Sequence, residues 1–430
     1  MEHLIFVAYL VFFAWLVTRV GFFKRSGLTH SQLIIIFLLK VMAGIFYGWI
    51  GLYYGNMAQM VDTWGFHYNS IQEYQLLKNN PAEFFTNLFH DPYENGITKF
   101  FETTDSYWND LKGNFLIKFL ALLNIFSFGH YYINVIFISF ITMFGPIAIY
   151  RVMSDVFPGK KLQVLLATFL IPSFLYWTSG IHKEGLIFLG LSIIIYNLYF
   201  ALKQKKISGI RIISILFGML LILILRNFLI VIIIPALIAW LLAEKYPKRG
   251  LLVFGTCYLF FIIFFFTARF IHPNFNFPQA VVNKQQEFLK LSGGSAVPIK
   301  KLEPTVGSFL INTPQAFNLS IIRPYPSDVK HILSLAAAAE INVLLLLFLV
   351  FLMWRTTGIR SRIFIYFCLF LSFSLLLTIG YTVNFLGAIV RYRSIIIPFL
   401  IVPMISLIDW ERVGRLLFSN IKNKNNIGES

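Results

Sequence analysis

Runs of about twenty apolar residues, separated by short polar or basic connections, recur along almost the whole chain. Each run is long enough to cross a hydrocarbon core of ~30 Å as a helix. Helices are the default there because a backbone in lipid has to satisfy its own hydrogen bonds. The pattern predicts spans at about 4–23, 32–54, 131–150, 162–178, 185–202, 209–225, 227–243, 251–268, 334–354, 362–380 and 387–408. The expected fold is all-α: a polytopic membrane helix bundle of about 11 spans with interfacial helices on its outer face, forming a single transmembrane domain over 1–430.

The connections predict orientation, because short cytoplasmic loops carry an excess of Lys and Arg. Lys24 and Arg25; Arg151, Lys160 and Lys161; Lys203, Lys205, Lys206 and Arg211; Lys245, Lys248 and Arg249; and Arg355, Arg360 and Arg362 fall on one side if Asn114–Phe128 is not counted as a crossing. That segment is short for a span, and Asn114, Lys118, Asn124 and Ser127 recur at near-helical spacing, as in an amphipathic helix lying in the interface. The N-terminus is then outside and the C-terminal tail, with Arg412, Arg415, Lys422 and Lys424, is cytoplasmic. Two long segments face outward: 56–130, with interfacial helices, and 270–332. The first holds Asp62, Glu73, Glu83, Asp91, Glu94, Glu102, Asp105 and Asp110, eight of the chain's 19 acidic residues. Its sparse Gly and Pro point to short surface helices rather than a disordered linker.

Composition narrows the class. Hydrophobic residues make up 58% of the chain and charged residues 13%, against about 25% charged in a soluble domain. The net charge of +17 does not indicate nucleic acid, since the basic residues sit between apolar runs and serve topology. Cys257 and Cys368 fall inside predicted spans, which leaves no disulfide framework or zinc site. The run Leu4–Phe23 is too long for a signal-peptide core and lacks a small-residue cleavage site, so it reads as a retained helix. A multi-pass protein of a bacterial inner (plasma) membrane is expected.

Three constellations carry candidate chemistry. The first is Val61–Tyr68, at the outer end of the second span. There Asp62 is placed to act as a general base or to hold a divalent metal, while Trp64 stacks on a sugar and His67 adds a polar contact. The alternative is a solvated acid beside an ordinary aromatic belt. The second is the outer hairpin His182-Lys183-Glu184, where Lys183 suits a phosphate and Glu184 suits proton transfer. The alternative is a set of interfacial caps, with Glu184 favoured by the helix dipole. The third is a group of outer arginines: Arg226, Arg323 with Tyr325, and the pair Arg391 and Arg393. A guanidinium fork matches phosphate oxygens, and the plainer alternative is snorkelling or pairing with a neighbouring carboxylate.

This layout resembles the GT-C superfamily of membrane glycosyltransferases. The resemblance is one of topology over most of the chain. It rests on Asp62 in the first large outer loop, the interfacial helix Asn114–Phe128 ahead of the next span, and the charged hairpin His182–Glu184. It implies transfer of a sugar from a polyprenyl-phosphate carrier to a glycan or lipid acceptor on the outer face, as in cell-envelope polysaccharide biosynthesis. Asp62 matches the position of the family's loop-one acid, which implies a base or metal-site role. Two spans precede that loop here, where the family usually has one. Two other readings stay open: a polysaccharide polymerase or ligase acting on lipid-diphosphate-linked glycans, and a transporter or flippase. A transporter predicts broken helices and charges near the bilayer midplane, and Lys40 and Glu340 are the main in-span charges. The expected partners are the lipid-linked sugar, the acceptor and membrane lipids.

Overall fold

The computed structural model describes residues 2–53, 61–102 and 104–416. The start of the first outer segment at residue 56 and the tail residues Lys422 and Lys424 lie outside these ranges. In chain order the helices are α1 (Glu2–Arg19), α2 (Gly21–Lys24), α3 (His30–Tyr53), α4 (Val61–Asn79), α5 (Pro81–Thr86), α6 (Tyr107–Ser127), α7 (Tyr131–Val156), α8 (Lys161–Phe169), α9 (Pro172–Trp177) and α10 (Lys183–Gln204). They continue as α11 (Gly209–Arg226), α12 (Phe228–Lys245), α13 (Gly250–Thr267), α14 (Phe277–Lys290), α15 (Val306–Phe317), α16 (Ile332–Met353), α17 (Arg362–Thr382), α18 (Leu386–Ser394) and α19 (Ile397–Ser406). Among the described residues nine helices are long and apolar enough to cross a membrane, and the bent pair α18–α19 makes up to ten. The chain is an all-α, multi-pass integral membrane protein.

The predicted span at 162–178 is not one helix. Pro172 lacks the N–H that would continue α8, and its ring would meet the carbonyl of Thr168. The chain therefore breaks at Leu170 and Ile171, with Ile171 extended (φ −68°, ψ 120°) before the proline. The predicted span at 387–408 is broken in the same way, where Pro398 would meet the carbonyl of Ser394; α18 and α19 differ in direction by 66°. The two broken spans lie side by side, α19 on α8 and α18 on α9. Lys40 and Glu340, the in-span charges, hold the broken ends. Lys40 Nζ donates to the Thr178 carbonyl at 2.5 Å, and the Glu340 carboxylate accepts from Ser173 N and Oγ, both at 2.6 Å.

The most buried helices, α7 and α10, form the centre, and small residues bring α11 against them. A Cβ placed on Gly218 of α11 would lie 2.7 Å from the Gly190 carbonyl oxygen of α10, so only a glycine permits this crossing. Gly44 of α3 touches Gly180 in the same way, and Gly180 needs its bare backbone twice because its φ is +72°.

The helix expected over Asn114–Phe128 forms within the longer α6, but most of its polar stripe is turned inward. Lys118, Asn124 and Ser127 are buried against α4, whereas Leu122, Ile125 and Phe126 are exposed. Asn124 Nδ2 donates to Ser70 Oγ at 3.0 Å, Asn134 Nδ2 to Asn124 Oδ1 at 2.7 Å, and Lys118 pairs with Glu73 at 2.8 Å. Lys118, Asn124 and Ser127 of the polar stripe thus lie in the seam of a helical hairpin, while Asn114 is exposed; Leu116, Leu120 and Ala121 are buried as well, so the helix is covered on more than its polar side.

The basic connections gather at one end of the bundle. Arg151 stacks on Phe22 and Tyr196, both at 4.9 Å, while Asp155 binds Lys203 at 2.6 Å and Arg360 at 2.9 Å. The opposite end carries the acidic first segment and residues 270–332. Gln285 of α14 donates to the Tyr381 carbonyl at 2.9 Å, and Leu386 N donates to the Ser295 carbonyl at 3.0 Å. These bonds fasten the second segment over the junction that leads into α18.

Candidate functional site

Glu184 lies at the centre of this second end. It occupies the first turn of α10, where the helix dipole favours a carboxylate, and its side chain is 0% exposed. The Gly190–Gly218 crossing sets α11 so that its last residue, Arg226, reaches Glu184: Nη2 is 2.7 Å from Oε1. Arg391, from α18, reaches the same oxygen with Nε at 3.2 Å. The Nη1 of Arg391 donates at 3.3 Å to Asp62 Oδ2, at the start of α4. His182 Nδ1 lies against Glu184 Oε2. The His182 ring is held edge-on by Tyr47 and Trp177, at 5.4 and 5.7 Å.

Burial divides these residues by what they can do. The carboxylate of Glu184 is closed in by two guanidiniums and an imidazole, so it fixes Arg226 and Arg391 and turns no face to solvent. Asp62 is 46% exposed, and Arg391, at 18%, stands between the two acids. Among the expected site residues, Asp62 is thus the carboxylate open to an incoming hydroxyl. Lys183 lies beside them, with its Nζ 4.7 Å from the Phe66 ring centre and Glu184, Arg391, Arg226 and Asp62 as its charged neighbours. Arg226 stacks on Tyr392 at 4.3 Å. The sequence elements 61–68, 182–184, 226 and 391 therefore converge, although Asp62 and Arg391 are 329 positions apart.

Other expected site residues are placed elsewhere. Arg393 is separated from Arg391 by two positions, which puts it on another side of the helix. Its Nη1 donates to the carbonyls of Arg323 at 2.6 Å and Ser320 at 3.3 Å. The two arginines are not a pair: one faces the acids and the other pins a loop. Arg323 is drawn to Asp328 at 3.5 Å and stacks on Tyr325, whose hydroxyl donates to Asn318. Trp64 stacks on Tyr131 with ring centres 4.0 Å apart and donates from Nε1 to the Gly48 carbonyl at 2.9 Å, so one of its faces is covered by protein. His67 is buried against the same two rings. Burial, with His130 adding a little, pushes its imidazole down to about 4, which keeps it neutral at neutral pH.

Sequence reasoning missed Tyr47, Trp177 and Tyr392, which wall the site, and two lysines. Tyr392 is legible only as the residue between two arginines. Lys112 of α6 has Lys284, Lys183, Arg226 and Glu287 as charged neighbours, and burial together with these cations brings its amine down to about 7. A metal at Asp62 does not fit: its close partner is a guanidinium, and no group of three or more His, Cys, Asp or Glu with metal-holding geometry occurs among the described residues. No known family, curated protein or solved structure matches the chain.

Proposed function

We propose that the chain is a membrane glycosyltransferase, taking a sugar from a polyprenyl-phosphate carrier and passing it to a glycan or lipid acceptor. In this reading the Asp62 end faces outward from a bacterial plasma membrane and the basic end faces the cytoplasm. The observation that carries the reading is the linkage of exposed Asp62, through Arg391, to the buried Glu184–Arg226 pair. In this reading Asp62 is the proton acceptor, and Arg391 and Arg226 beside it are the phosphate-binding groups. The acceptor oxygen attacks the anomeric carbon as Asp62 takes its proton. The bond from that carbon to the carrier phosphate breaks, and the phosphate leaves with the electron pair, its charge met by Arg391 and Arg226. Glu184 acts as a positioning residue, keeping both guanidiniums aimed.

A transporter would share the broken spans, but its in-span charges should line a path. Lys40 and Glu340 each close on a helix end instead, which favours the enzyme. The test is Asp62→Asn, which keeps side-chain size and removes the charge. With purified protein in lipid and a panel of polyprenyl-phosphate sugars, transfer should fall about 10²–10⁴-fold while the unfolding midpoint holds. A rate within about threefold of the parent clears Asp62 and removes the support for this reading.

A further inference from the structure

Cations outnumber acids at the site. Lys112, Lys183, Arg226, Lys284 and Arg391 come from five different helices, and the nearby carboxylates are Asp62, Glu184 and Glu287. Asp62 and Glu184 are engaged by Arg391 and Arg226, so the balance falls on the lysines. Lys284 pairs with Glu287 at 3.2 Å and lies over Phe288, whose ring meets Tyr392, the ring that carries Arg226. Lys112 has a neutral hydrogen-bond partner, Asn109. The acid among its charged neighbours, Glu287, is already paired with Lys284, and Asp110 on its own helix accepts from Tyr93. Holding like charges together in a half-buried place costs free energy unless an anion joins them.

We infer that Lys112 and Lys284 form a second anion-binding position beside Arg226 and Arg391, so that the bound substrate carries two anionic groups. The outer group is either a second phosphoryl group on the lipid carrier or the carboxylate of an acidic acceptor sugar. This rests on the proposed function for the inner phosphate and adds the outer one. The lowered amine of Lys112 supports it: a bound anion restores the proton, so binding above a pH of about 7 takes up a proton.

The test uses the full chain in lipid nanodiscs, with farnesyl phosphate, farnesyl diphosphate and a glucuronic acid-containing oligosaccharide as probes. The diphosphate should bind about tenfold more tightly than the monophosphate, in keeping with charge-assisted contacts. Lys112→Gln with Lys284→Gln should bring the two level and leave the monophosphate within about twofold. Raising the pH from about 6 to about 8.5 should reduce the preference in the parent but not in Lys112→Gln. If the acidic oligosaccharide responds to the double Gln variant in place of the diphosphate, the second anion belongs to the acceptor and the position stands. If neither probe responds in the folded double Gln variant, the inference is overturned. Lysine-dependent binding without sugar transfer would sink the proposed function and leave this position standing.

Discussion

The two ends of the bundle each hold one carboxylate between two cations, with an aromatic residue at hand, and they behave as different materials. At the basic end Asp155 meets Lys203 and Arg360, whose side chains are 44% and 53% exposed, and accepts from the Tyr199 hydroxyl at 2.7 Å. At the other end Glu184 meets Arg226 and Arg391, 10% and 18% exposed, with His182 behind it. Asp155 itself is 17% exposed, but its two cations reach into water, which can take over their bonds, and a pair exposed in this way contributes only about 0.2–1 kcal/mol. Water cannot reach Glu184, where removing one partner leaves buried charge uncompensated at about 3–5 kcal/mol. Similar residues thus stitch helices together at one end and build a fixed electrostatic site at the other. Burial makes the difference.

The widest contrast expected is all-or-none. Cys257 and Cys368 are buried, so single cysteines can be read against a quiet background. At Glu94→Cys an impermeant thiol reagent added outside cells should label, and at Lys205→Cys it should not. Labelling of position 205 from outside would reverse the proposed orientation. Next in size is a stability contrast. Glu184→Gln should lower the unfolding free energy by about 3–5 kcal/mol, or leave no folded protein, whereas Asp155→Asn should cost no more than about 1 kcal/mol. Thermal unfolding in detergent compares them, and equal losses would erase the distinction between the ends. The smallest effect belongs to Trp64→Phe. It keeps the stack on Tyr131 and loses the bond to Gly48, worth about 1 kcal/mol, with donor affinity unchanged. A large loss of donor affinity would return Trp64 to the substrate.

How much was legible from sequence follows from the range of the forces involved. Hydropathy acts locally, so the long spans, the two acidic or polar segments at one end and the gathering of Arg151, Lys203 and Arg360 at the other could be read directly. Asp62, Lys183, Glu184, Arg226 and Arg391 could be nominated because charges at the ends of apolar runs are conspicuous. Their assembly could not be read, since it depends on the Gly190–Gly218 crossing and on a loop fastened over α18 through Gln285 and Ser295. Pro172 and Pro398 were visible in the sequence, yet hydropathy alone runs straight through them, and the breaks become clear only as backbone geometry.

The direction in which a side chain faces was beyond the sequence for a related reason. The polar stripe of α6 has the same periodicity whether it meets water or α4, and only the presence of Ser70, Glu73 and Asn134 opposite turns most of it inward. Arg391 and Arg393 look alike in the chain. A helix separates residues two apart, and the tertiary structure then supplies two acids to one and two loop carbonyls to the other. The sequence by itself determined which segments enter the membrane, because that depends on what each segment is made of. The tertiary structure alone decided which charges are closed off from water and which stay open, because that depends on what lies across from them.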